Sequence, residues 1–104
     1  MINIKFKGPE KLEGFILWGH GTESTKDIEG RIVCAAVSSA VYMTANTLSE
    51  LVGAEISSED DGEIMNISVL SKVDECQTTL QGLKLHLEEL SKDYSNKITI
   101  ISEV

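Results

Sequence analysis

The chain has 104 residues, enough for one domain with its own core, and 9 Lys and Arg against 17 Asp and Glu give a formal net charge of −8. That balance argues against direct nucleic-acid binding, because an acidic surface repels phosphate and no basic stripe gathers along the sequence. No apolar run reaches the about 20 residues of a membrane span and the first residues lack a signal-peptide core, so a cytoplasmic protein away from the membrane is expected.

Residues 2–7 (INIKFK) alternate apolar and polar, as a half-buried strand does, and Gly8-Pro9 breaks the pattern. A second strand is expected over residues 12–19, with Phe15, Ile16, Leu17 and Trp18 at its centre, pairing with the first as a hairpin. Residues 20–30 (HGTESTKDIEG) are polar and without period, and read as a loop. A loop of that length in so small a domain is often functional. Residues 31–52 carry a 3.6-residue rhythm in Val33, Val37, Ala40, Val41, Thr44, Leu48, Leu51 and Val52, which predicts a helix stopped by Gly53.

Segments 54–59 and 63–70 then bracket Asp60-Asp61-Gly62, and Asp-Gly between alternating segments predicts a hairpin. Val73, Cys76, Leu80, Leu83, Leu87, Leu90 and Tyr94 form the apolar stripe of a second helix over residues 73–94. Residues 97–104 (KITIISEV) close the chain as a strand. The order β-β-α-β-β-α-β predicts an α+β fold of two layers, a mostly antiparallel sheet with both helices on one face, and residues 1–104 as one domain.

The chemistry centres on Cys34. On this reading it opens the first helix, where unpaired backbone N–H groups and the positive end of the helix dipole favour thiolate and could hold an oxyanion. His20, between Gly19 and Gly21 at the end of the second strand, supplies a base, and a Cys–His pair is the minimal unit for thiol nucleophile catalysis. The plainer reading of Cys34, a buried small hydrophobe, stays open on these features alone. Cys76 lies on an apolar stripe and reads as core, and His86 as a partly exposed helix residue. Trp18 reads as core or interface, and the acidic run at Glu59 as a solvated turn without calcium-loop spacing. Neither the two Cys nor the two His show paired zinc spacing, so no metal and no cofactor is expected.

Gly19-His20-Gly21, the polar loop and the segment Ile32-Val33-Cys34-Ala35-Ala36-Val37-Ser38-Ser39 resemble the signature of the ribosomal-processing cysteine protease (Prp) family, and the likeness extends along the chain. The resemblance implies Cys34 as nucleophile and His20 as catalytic base. It implies Ser38, Gly21 and Thr22 as residues that shape the substrate site, with residues 22–29 bordering the cleft. It also implies a homodimer, and as substrate the N-terminal extension of a large-subunit ribosomal protein, number twenty-seven. Two departures stand out. Arg31 occupies a position that is often acidic in the family, so any acidic partner of His20 would be Asp27 or Glu29, and Gly21 stands where Ala is common. The rival reading is a non-catalytic module that binds a basic ribosomal-protein tail; a redox-sensing thiol is a third reading, without an obvious resolving cysteine.

Overall fold

The computed structural model describes residues 1–19 and 27–102. Five strands and two helices follow in the order expected: β1 (Ile2–Lys7), β2 (Gly14–Gly19), α1 (Ile28–Asn46), β3 (Ile56–Asp60), β4 (Ile64–Val69), α2 (Val73–Asp93) and β5 (Ile98–Ser102). The strands form one sheet in the order β3-β4-β2-β1-β5. Three of its pairings are antiparallel, and β1 with β5 is parallel.

Both helices lie on one face because of strand direction. β2 and β4 run in opposite directions, and their crossovers to β3 and β5 also step opposite ways along the sheet. Right-handed crossovers that reverse both direction and displacement land on the same side. That side holds the core. Ile2, Ile4 and Phe6 of β1 share it with Phe15, Ile67, Val69 and Ile98, all buried. Val33, Val37 and Val41 of α1 and Cys76, Leu80 and Leu87 of α2 close over them. Phe6 and Phe15 sit in register on neighbouring strands with ring centroids 6.1 Å apart, within the favourable range for tilted aromatic pairs.

Local chemistry sets the element ends. At its C-terminal end α1 widens into a π-helical turn, Thr47–Leu51, where the Val52 N–H reaches the Thr47 carbonyl at 2.9 Å. Gly53 then adopts φ +78°, the left-handed stop that a side chain would resist. In the β3–β4 turn one oxygen of the Asp61 carboxylate accepts the N–H groups of Glu63 and Ile64, and these bonds hold its pKa below the usual carboxylate range. The Gln77 amide grips the backbone of Leu12 from both sides, at 2.9 and 2.8 Å, so α2 is tied to the β1–β2 connection as a strand partner would be.

The span Ile28–Leu51 is long and apolar enough to cross a membrane by length and composition, its most apolar window averaging 1.3 in hydropathy. Its buried row, Val33, Val37, Val41, Thr44 and Leu48, is built into the core beside the sheet, as in the core helix of a domain.

Candidate active site

α1 begins three residues earlier than the residue pattern indicates, at Ile28, with Asp27 as its N-cap. Gly30, which reads as a loop residue, is helical and buried, and Asp27 Oδ1 accepts its N–H at 2.9 Å. Cys34 therefore lies in the second turn rather than the first. Its N–H belongs to the internal helix ladder, and the orphan donors sit a turn away around the Asp27 cap. The helix-end field falls off within the first turn. The expectation that unpaired N–H groups beside Cys34 would cradle an oxyanion is corrected accordingly, and residues 28 and 29 belong to the helix instead of the loop.

Cys34 is half-buried and packs against the edge of the core. Ser38 follows one turn on and is exposed. At roughly 100° per residue, Cys34 flanks the buried row of α1 on one side and Ala36 and Ala40 flank it on the other. A groove of about 730 Å³ between α1 and α2, lined among others by Ala36, Ser39, Ala40, Met43, Gly82 and His86, thus opens on the flank away from the thiol. It belongs to the helix pair and not to the chemistry of Cys34.

β2 delivers the chain to the same end of the molecule. Gly19, its last residue, pairs with Ile2 and has φ +94°, and a Cβ there would lie 2.1 Å from the Met1 carbonyl oxygen. Only glycine fits so close an approach. His20, Gly21 and Thr22 follow directly and lie outside the described residues. Of the residues expected at the site, the structure places Cys34 and Ser38.

The acidic candidates separate clearly. Glu29 is exposed on the first turn of α1, as is Arg31. In Asp27, Oδ1 caps the helix and Oδ2 pairs with the Lys97 ammonium at 2.5 Å. Lys97 carried no mark in the sequence, because its partner is 70 residues away. Cys76 is fully buried, and burial first, then the neighbouring Glu75 charge, pushes its thiol pKa up, with Lys72 opposing. Trp18 points to the sheet face opposite the helices and is half-buried there, outside the core. His86 is exposed.

The family model of the cysteine protease Prp matches residues 1–99. The chain belongs to that family. Solved structures share the fold of this Prp-family protein. SMU.848 from Streptococcus mutans is 25% identical over 99% of this chain and 96% of that one, with a TM-score of 0.81. The ribosomal processing protease Prp from S. aureus in complex with a substrate peptide is 20% identical over 99% and 100% of the two chains, with a TM-score of 0.86. The same S. aureus protease with a covalently linked product peptide gives 22%, 99%, 100% and 0.78 in the same order. A comparison with curated proteins returned no match.

Proposed function

We propose that this Prp-family chain is a cysteine endopeptidase with Cys34 as nucleophile and His20 as general base. The observation that carries the reading is the position of Cys34: a partly open thiol on α1, in a chain that matches the Prp family along nearly its whole length. His20 takes the thiol proton, and the sulfur attacks the carbonyl carbon of the aromatic residue that precedes the scissile bond. The amine leaves with the proton returned by the imidazolium, and water, deprotonated by the same imidazole, releases the acid and restores the thiol. No metal or cofactor enters these steps. The oxyanion is held by donors outside the α1 ladder, since the N–H groups around Cys34 already serve that ladder.

The proposed substrate is the N-terminal extension of a large-subunit ribosomal protein, number twenty-seven. Support comes from the S. aureus relative, a ribosomal processing protease seen with a substrate peptide, and from the charge of −8, which draws a basic ribosomal protein and not a nucleic acid. The protein is proposed to act in the cytoplasm as a homodimer, with Ser38, Gly21 and Thr22 contacting the substrate.

The test is direct. Purified protein is incubated with the extended ribosomal protein at two salt concentrations beside a Cys34→Ala control, and the products are weighed as intact masses. Wild type should release one N-terminal peptide, faster at low salt, and the control none. Uncut substrate that stays bound would replace the peptidase with the non-catalytic binding module. Cutting by the control would remove Cys34 from the mechanism. Equal rates at both salts would remove charge steering.

A further inference from the structure

Asp27 and Lys97 form the most enclosed ion pair among the described residues, their side chains only 18% and 12% exposed, against 57% or more for the partners of the other two pairs. Each member of the pair is fixed a second time. The second oxygen of Asp27 caps α1 through the Gly30 N–H, and its carbonyl accepts from Arg31 at 3.1 Å. The backbone of Lys97 accepts from the Ile2 N–H at 2.7 Å and donates to the Tyr94 carbonyl at 2.8 Å. Ile2 in turn is the sheet partner of Gly19.

These links form a continuous chain. It runs from Gly19, the residue before His20, through Ile2 to Lys97, across the ion pair to Asp27, and up α1 to Cys34. The peptide chain itself joins Gly19 to Asp27 by a separate route, so among the described residues the pair is a polar tie outside that route between the end of β2 and the helix that carries Cys34. We propose that Asp27 and Lys97 are positioning residues, a clamp that sets how α1 and its thiol sit relative to the end of β2. The proposal rests on the peptidase reading, and assigns Asp27 a role through the cap of α1 and the Lys97 ammonium.

A clamp differs from a plain stabilising contact in what its loss changes. Small displacements of reacting groups cost rate far more than they cost binding or folding. Asp27→Asn keeps an equally good helix cap while removing the charge, Lys97→Met removes the ammonium, and Lys97→Arg keeps it. All are assayed at a temperature where circular dichroism shows each variant folded, by kcat and KM on a peptide spanning the cleavage site and by the iodoacetamide rate of Cys34. The expected result for Asp27→Asn and Lys97→Met is a fall in kcat on the order of tenfold or more, KM within about twofold, and slower alkylation, with Lys97→Arg restoring all three. If wild type cuts but both charge-removing variants keep kcat within about twofold, or Lys97→Arg behaves as Lys97→Met, the clamp is overturned and the peptidase stands. If wild type neither cuts nor alkylates faster than His20→Ala, the peptidase reading fails and the clamp falls with it.

Discussion

Cys76 packs in the core with Leu80 and Leu83 and has no exposed surface, whereas Cys34 keeps part of its surface open. Burial disfavours the thiolate of Cys76, so its folded pKa lies above that of the unfolded chain. The linkage sign follows: this group's contribution to stability is complete below the ordinary thiol value, about 8.5, and is lost as pH rises through the raised one. The same difference predicts labelling. Iodoacetamide near neutral pH should modify one cysteine per folded chain, mapped to Cys34 by peptide mass, and both once urea unfolds the protein. A folded chain labelled at Cys76 would contradict its burial. The burial of Cys76 was legible in its place on the apolar stripe of α2. The depth of Cys34 along α1 was not, because Gly30 and the polar Asp27 and Glu29 look like loop when their hydrogen bonds are unseen.

At the scale of elements, the legible parts were those with local causes. The alternation of β1, the Asp61-Gly62 turn and the long stripe of α2 each depend on neighbours in sequence, and each appears within a residue or two of its expected bounds. The π-helical turn after α1 and the parallel pairing of β1 with β5 were not, since a helix's last hydrogen bonds and a strand's distant partner leave no local period. Lys72, before α2, is the one non-glycine at positive φ among the described residues, with φ 53° and ψ 40°, and its side chain makes no cap. A side chain in this region costs on the order of 1 kcal/mol. Lys72→Gly should therefore raise stability by about 0.5 kcal/mol at most, after the about 0.4–1 kcal/mol of entropy that glycine adds to the unfolded chain is deducted. Urea unfolding reads the change as a higher midpoint at unchanged slope; a lower midpoint would mean that the 3.4 Å contact of Lys72 with the Val52 carbonyl outweighs the strain.

For the molecule as a whole, the question is what covers α1. Ile28, Ile32 and Met43 lie along one outer row and are 69%, 56% and 68% exposed. Apolar rows of this kind mark interaction surfaces, and they support the proposed homodimer. Sedimentation at micromolar concentration should give twice the chain mass of 11.4 kDa. Met43→Glu should shift it to the single mass without lowering the melting temperature, because Met43 contributes little to the core. A wild type that sediments as a single chain removes the dimer, and a Met43→Glu dimer moves the interface off this row.

The parallel seam between β1 and β5 imposes an order of events. β1 lies inside the sheet, yet one of its two neighbours is made from residues 98–102, near the opposite end of the sequence. A ribosome emits β1 before β5, so the strand waits with one edge open until residues 98–102 have been synthesised. Contacts between such distant segments close the largest loops and are slow to form. Lys97 stands at the threshold of that final strand, so the tie to Asp27 can close only when the seam does. A nascent chain can have its hairpins and helices without yet having the geometry that joins α1 to the end of β2.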